Sequence, residues 1–283
     1  MLPLSPSFLI GLIGAGIQAS RTPAMHQREG AELGLRYLYR LIDLEVLGLD
    51  ANALPDLLIA AERMGFSGLN ITHPCKQTVI PLLTDLSADA QAIGAVNTVV
   101  FRAGARIGYN TDCSGFAESF RKSFADVPRR RVVQLGAGGG GSAVAHAALD
   151  LGVEQLSIFD VDLKRATSLV ENLSRRFGRE RANVGNDLAR AMAKADGLIH
   201  ATPTGMHAHP GLPLPESLLH AQQWVAEIVY FPLATELLKV ARKLGCRTLN
   251  GGGMAVYQAV EAFRLFTGIT PDPGRMLRHF ESL

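Results

Sequence analysis

Two groups of residues in this 283-residue chain have types and spacings that carry chemistry. The first lies in "VVQLGAGGGGSAVAHAAL", where Gly136, Gly138 and Gly141 fit G-x-G-x-x-G between an apolar run and a helix-like stretch. A strand that ends in such a loop and opens a helix brings backbone N–H groups and the positive end of the helix dipole to a pyrophosphate. The first glycine permits the tight turn, the second lets the backbone approach the ligand, and the third lets strand and helix pack closely. Gly139 and Gly140 complete the loop. Asp160 ends the next apolar run, "LSIFD", 19 positions after Gly141. A carboxylate there accepts both ribose hydroxyls of an adenosine and repels a 2′-phosphate, so the spacing predicts NAD over NADP. Lys164 and Arg165 follow closely and work against that preference, because a basic side chain accommodates the phosphate. Asp162 reads as a helix N-cap. A methyltransferase uses a similar loop and acid for S-adenosylmethionine, so the glycines alone do not separate the two activities.

The second group is in the first half. "GLNITHPCK" places Asn70, Thr72 and Lys76 at the end of a strand and in the first turn of a helix, where open α/β sheets gather their sites. A lysine near the positive pole of a helix has its charged form disfavoured, which suits a proton-transfer group. Asn97 sits inside the apolar run "GAVNTVV" and must find hydrogen-bond partners there. Asp112, in "GYNTDCSGF", reads either as a plain helix cap or as the group that shares a titration with Lys76. His207 and His209 in "MHAHP" have no Cys, Asp or Glu nearby to complete a ligand set, so no metal is expected. Cys75 and Cys113 flank the lysine and the aspartate in sequence, but no base stands beside them to activate a nucleophile.

These residues need a frame of alternating strands and helices. Strand-like runs fall at 8–14, within 35–44 and at 66–72, with a helix over 54–65 that stops at a glycine. A helix begins in 73–83, a hairpin with a glycine turn spans 95–112, and a further helix covers 114–124. From "RRRVVQL" onward, strands recur at "QLSIFD", "GLIHATP", "WVAEIVY" and "CRTLN", with helices between them. The stretch 253–268 is strongly periodic and helical. The predicted fold is α/β in two domains. Residues 1–112, completed by a terminal helix over 253–283, form a mixed α/β substrate-binding catalytic domain. Residues 113–252 form a Rossmann-type doubly wound parallel sheet that binds NAD.

Composition narrows the partners. The net charge is +2, with 47% hydrophobic and 19% charged residues, which describes a folded globule. No basic stripe interleaved with aromatics points to nucleic acid. No apolar run reaches the ~18 residues of a membrane span. The apolar start lacks a positive n-region and reads as a buried strand, not a signal peptide. Three scattered cysteines point to reduced thiols in the cytoplasm. The expected partner is a small-molecule substrate, and the expected state a monomer or homodimer.

The segments "SRTPAMH", "GLNITHPCKQTVIPLL", "IGAVNTVV", "GYNTDCSGF", "GAGGGGSA", "HATPTGM", "VYFPLATELL" and "MAVYQAVEAF" resemble the shikimate dehydrogenase family, in order and nearly end to end. Within it, "GLIGAGIQASRTPAMHQREG" and "FDVD" are most similar to the NAD-dependent quinate/shikimate dehydrogenases. The resemblance implies that Lys76 and Asp112 are the catalytic pair and that Ser20 and Thr22 hold the substrate carboxylate. It assigns Asn70, Thr72, Asn97 and Gln258 to the ring hydroxyls and puts Tyr230 near the substrate. It places Thr202, Gly205 and Met206, in "ATPTGM", beside the nicotinamide, and Gly253 with the cofactor residues. The implied reaction is reversible oxidation of shikimate and quinate at the C3 alcohol with NAD. Several positions depart from the family pattern. Thr22 replaces the serine of biosynthetic members and leans toward a site that also admits quinate. "DVD" and Ser142 stand where NADP members carry partners of the 2′-phosphate. Glu227 replaces a usual aspartate and His200 a usual asparagine. An NADP-dependent biosynthetic shikimate dehydrogenase and a non-catalytic NAD sensor are the alternatives, and retention of Lys76 and Asp112 disfavours the sensor.

Overall fold

A computed structural model of the chain describes residues 6–283. The chain gathers into two compact units, one of residues up to Thr111 with Val256–Leu283, the other Asp112–Ala255. The first five residues of the expected 1–112 domain lie outside the described residues.

The first unit is built on a six-stranded mixed sheet of β1 (Ser7–Gly14), β2 (Arg36–Asp43), β3 (Gly68–Ile71), β4 (Asp85–Leu86), β5 (Thr98–Arg102) and β6 (Ala105–Tyr109). Their order is β2-β1-β3-β5-β6-β4. β1 runs parallel to both its neighbours, while β5 is antiparallel to β3 and β6. Both faces of β1 are covered, which is why its sequence is a continuous apolar run without alternation. Ile13 packs with Leu54, Leu58, Leu69 and Val99 on one face. Ile10 and Leu12 pack with Tyr37, Tyr39, Phe263 and Phe266 on the other. Burying each such side chain contributes about 1.5–3 kcal/mol. The β5–β6 hairpin turns at Ala103 (φ 50°) and Gly104 (φ 79°), the two positive φ values a two-residue turn of this hand requires. The helix Pro273–Ser282 is fastened to the helix Thr22–Glu32 by a forked ion pair. In it, Arg275 Nη2 and Nε donate to Glu29 at 2.6 and 2.7 Å.

Two helical expectations are corrected. The helix read into 73–83 is a single turn, Cys75–Thr78, followed by a 3₁₀ turn at Ile80–Leu82. Pro81 has no N–H to continue the ladder, so the helix cannot extend. Four residues carry little macrodipole, so Lys76 does not stand at the positive pole of a full helix. The terminal helix expected over 253–283 is two helices, Gly251–Thr267 and Pro273–Ser282. Gly268 (φ 74°) ends the first, and Pro271 and Pro273 prevent direct continuation.

The second unit is a six-stranded sheet of β7 (Arg131–Leu135), β8 (Gln155–Phe159), β9 (Ala182–Val184), β10 (Gly197–His200), β11 (Trp224–Glu227) and β12 (Arg247–Leu249). Their order is β12-β11-β10-β7-β8-β9, and every pairing is parallel. The chain winds from β7 out to β9, then crosses back to β10 on the other side. Strand order therefore reverses between β7 and β10, and ligands bind outside the carboxyl ends of strands at such a reversal. Among the described residues, no helix is long and apolar enough to cross a membrane.

Candidate active site

The glycine loop leaves β7 at the strand-order reversal. Gly136 has φ 102°, and a Cβ there would strike the carbonyl of Ala201, at the end of β10. A Cβ on Gly141 would strike the carbonyl of Gly136, so these two glycines let helix and strand close on each other. Gly138 faces open space and caps the helix Gly139–Asp150, leaving that N-terminus accessible to a ligand. The loop is stapled from within by Gln134, whose Nε2 donates to the carbonyls of Gly136 and Gly141 at 2.8 Å each. Gln134 is fully buried among the apolar residues Val132, Val133 and Leu135 of β7. A polar residue in "VVQL" was the available sequence signal for it.

Asp160 sits at the end of β8, half-buried. Its carboxylate accepts the N–H of Ala137 at 2.7 Å and the N–H of Asp162 at 2.8 Å, one on each oxygen. Asp162 caps the next helix through the amides of Lys164 and Arg165, and the Arg165 guanidinium lies 3.4 Å from the Asp162 carboxylate. One of the two cations read as phosphate partners is thus already paired.

β10 and β11 end side by side at His200 and Glu227, which pair directly in register. Beyond His200 the segment 201–206 makes a tight loop, in which Thr204 N–H donates to Thr202 Oγ1 at 3.3 Å. Gly205 (φ 95°) donates to the carbonyl of His209 at 2.6 Å. His207 stacks at a tilt 5.5 Å from Phe231.

In the first unit, the ends of β1 and β3 and the start of β5 gather polar residues. Ser20 and Thr22 follow β1, and Thr22 N–H donates to Ser20 Oγ at 3.3 Å. Asp43 holds the approach to them. Its carboxylate accepts Gly16 N–H (3.0 Å), Ile17 N–H (3.0 Å), Gln18 Nε2 (2.9 Å) and Glu45 N–H (3.1 Å). Burial pushes this carboxyl up, but the four donors outweigh it and hold the group below the usual carboxylate range. Asn70, Asn97 and Gln258 belong to one buried chain of hydrogen bonds. Tyr39 Oη donates to Asn70 Oδ1 at 2.7 Å, and Asn70 Nδ2 donates to Thr98 Oγ1 at 3.0 Å and to the Asn97 carbonyl at 3.3 Å. Asn97 Nδ2 donates to Thr111 Oγ1 at 2.9 Å, and Thr111 Oγ1 reaches Gln258 Oε1 at 3.5 Å. Both N–H groups of Asn70 are therefore engaged within the protein, and it offers a ligand acceptor capacity only. Thr72 follows β3, with its N–H on the carbonyl of Ile13. The half-buried Lys76 has its carbonyl on the N–H of Val96, which ties its turn to the segment bearing Asn97.

Asp112 and Tyr230 belong to the second unit. Asp112 is buried in the first turn of the helix Thr111–Ser123, and Tyr230 is exposed in the loop after β11. Gly253 lies in the helix Gly251–Thr267, where a Cβ would strike Ser119, so its lack of a side chain lets the two helices approach closely. Burial pushes the Cys75 thiol up to about 11, which removes it as a nucleophile near neutral pH.

Comparison with known proteins matches residues 12–99 to the shikimate dehydrogenase substrate binding domain and residues 251–279 to the shikimate 5′-dehydrogenase C-terminal domain. The chain is 56% identical over 279 residues to the shikimate dehydrogenase (NADP(+)) of Streptomyces avermitilis, covering 98% of this chain and 96% of that protein. It is 49% identical over 281 residues to the quinate/shikimate dehydrogenase (NAD(+)) of Corynebacterium efficiens, covering 98% and 99%. The solved structure of the quinate dehydrogenase from Corynebacterium glutamicum in complex with NAD aligns with a TM-score of 0.93 at 48% identity. That alignment covers 99% of this chain and 100% of the solved one.

Proposed function

The chain belongs to the shikimate dehydrogenase family, and from that premise we propose that it is an NAD-dependent quinate/shikimate dehydrogenase. It interconverts shikimate with 3-dehydroshikimate, and quinate with 3-dehydroquinate, at the C3 alcohol. Asp160 is the observation that carries the cofactor choice. A carboxylate has about four acceptor sites, and two here are taken by backbone N–H groups, which leaves two for the hydroxyls of an adenosine ribose. The same charge repels a 2′-phosphate. The open space at Gly138 and the half-buried helix N-terminus beside it suit a pyrophosphate. When bound, NAD supplies the hydride acceptor.

The chain's own residues bind, orient and move the proton. Ser20 and Thr22 hold the substrate carboxylate. Thr72, Asn97, Gln258, Tyr230 and the acceptor oxygen of Asn70 meet the ring hydroxyls. Lys76 and Asp112 take the proton from the C3 hydroxyl oxygen and return it in the reverse direction, general acid–base work worth about 10²–10⁴-fold. The glycine loop, Asp160, Thr202, Gly205, Met206 and Gly253 hold the cofactor. A site made of hydroxyl partners rejects analogues that lack a hydroxyl, because its own groups are then left unpaired. Three buried cysteines without a disulfide suit a reducing cytoplasm.

Steady-state rates of the purified protein with quinate and shikimate, each with NAD and NADP, test the reading. Both acids turn over, and NAD is preferred by about tenfold or more, the equivalent of one unfavourable charge contact. The 56% identity to an NADP(+)-named relative favours a second reading, a biosynthetic shikimate dehydrogenase using NADP. A strong NADP preference with no turnover of quinate selects that one.

A further inference from the structure

We propose that His200 and Glu227 are a positioning pair for the hydroxyl of Thr202, and through it set the affinity of the site for NAD. The proposal rests on the reading of the segment 201–206 as the loop beside the nicotinamide. Both side chains are almost completely buried, at 0% and 1% exposure, at the adjoining ends of β10 and β11. The residues before them, Leu198, Ile199, Val225 and Ala226, are wholly apolar and buried. An ionisable pair in such surroundings is costly, and for packing alone an apolar pair is often as good or better.

The hydrogen bonds give the pair a direction. Glu227 accepts Val229 N–H at 3.0 Å and Thr235 Oγ1–H at 3.2 Å. Its two oxygens lie 2.9 Å from His200 Nδ1. Both Glu227 oxygens already act as acceptors toward Val229 and Thr235, and in the proposed arrangement they accept from Nδ1 as well, which places the ring proton there. The other ring nitrogen, Nε2, is thereby turned onto Thr202 Oγ1, within a short hydrogen bond. Nε2 of that tautomer accepts, so Thr202 Oγ1–H donates to it while Oγ1 accepts Thr204 N–H at 3.3 Å, and the hydroxyl is held from two sides. Thr235 is at the same time the N-cap of the helix Glu236–Lys243, through Leu238 N–H. One carboxylate thus ties the loop after β11 to the loop after β10. The imidazole transmits that tie to the Thr202 hydroxyl, the first of the two in the 201–206 loop.

The test combines NAD binding by calorimetry, without substrate, with ¹⁵N NMR of the histidine rings in the cofactor-free protein. In the wild type the His200 ring shows a protonated Nδ1, and Glu227→Gln shifts or abolishes that signal. Thr202→Val and His200→Asn each weaken NAD binding by about tenfold, as expected for loss of one oriented hydrogen bond. The double variant binds no more weakly than either single one, because both changes remove the same interaction. Thr202→Ser retains wild-type affinity, and KM for shikimate stays within about twofold throughout, since only cofactor positioning is altered. Unchanged NAD affinity in Thr202→Val, or effects of the two substitutions that multiply, overturns the proposal. Should His200→Asn fail to fold, Thr202→Val, Thr202→Ser and the wild-type ring spectrum still decide. A wild-type protein that binds no NAD overturns the functional reading itself, which is a separate result.

Discussion

Asp160 accepts the N–H of Ala137 across 2.7 Å, so the acid that ends β8 also fixes the turn that ends β7. The residue proposed to select the ribose is thus part of the scaffold of the glycine loop. On the proposed function, cofactor choice and loop order depend on this single carboxylate.

That coupling predicts a double effect for Asp160→Asn. The amide keeps the size of the side chain but loses the charge and half of the acceptor capacity. Hydrogen bonds to charged groups are worth about 1.5–3 kcal/mol, so KM for NAD rises by roughly ten- to a hundredfold. The ratio of kcat/KM between NAD and NADP narrows at the same time, because repulsion of the 2′-phosphate is gone. An unchanged ratio would show that Asp160 organises the loop without selecting the cofactor.

For the chemical step, Lys76→Ala and Asp112→Asn are each expected to lower kcat by about 10²–10⁴-fold, the usual worth of general acid–base catalysis. NAD affinity, measured by titration without substrate, stays at the wild-type value in both. Turnover that survived Lys76→Ala would remove the lysine from the mechanism.

Most of the frame was legible because its signals are local. The apolar runs of β1, β7 and β8, each closed by a glycine or an acid, and the turn at Ala103 and Gly104 read directly as strands and a hairpin. β4, with two residues, β9, with three, and the short helix Ala88–Ile93 lack enough length to make a periodic pattern, so no periodicity in the sequence marks them. The breaks at Pro81 and near Pro271 did have local signals, but an apolar periodicity running across them suggested continuity. The supports of the candidate site were hidden for another reason. Asp43 with Ile17, Gln134 with Gly141 and Glu29 with Arg275 are partnerships made by folding, the last across 246 positions. A lone polar letter in an apolar run marks that some partner exists and says nothing of which.

Acid sensitivity has a specific source at His26. The ring is fully buried among Tyr37, Tyr39, Phe263 and Phe266, and its Nδ1 meets Tyr37 Oη at 2.9 Å. Burial pushes its pKa down to about 3. In the unfolded chain the ring protonates near its ordinary value of about 6.5. Between those values the unfolded state binds the extra proton, so stability falls as pH falls, at up to about 1.4 kcal/mol per pH unit. His26→Asn, which keeps a polar atom toward Tyr37, lowers stability at neutral pH and flattens this slope. Urea unfolding at pH 4 to 6.5 measures it, and equal slopes in the two proteins would reject the assignment.

Asp43 predicts a second acid effect, tied this time to substrate. Its folded pKa lies below the unfolded one because four N–H donors outweigh the burial that opposes them. The sign is opposite to that of a cation gaining a partner. The stabilisation is fully present above the unfolded carboxylate value and is lost as pH falls through the folded one. Three of the four donors, Gly16, Ile17 and Gln18, lie on the loop that delivers Ser20 and Thr22. Asp43→Asn turns part of an acceptor into a donor facing other donors, so this loop loses its anchor. The expected result is a KM for shikimate raised by about tenfold, with NAD affinity unchanged and kcat lowered far less. A matching rise in the KM of both substrates would point to general destabilisation. An unchanged KM for shikimate would mean that the loop is held without Asp43 and that Ser20 and Thr22 do not depend on it.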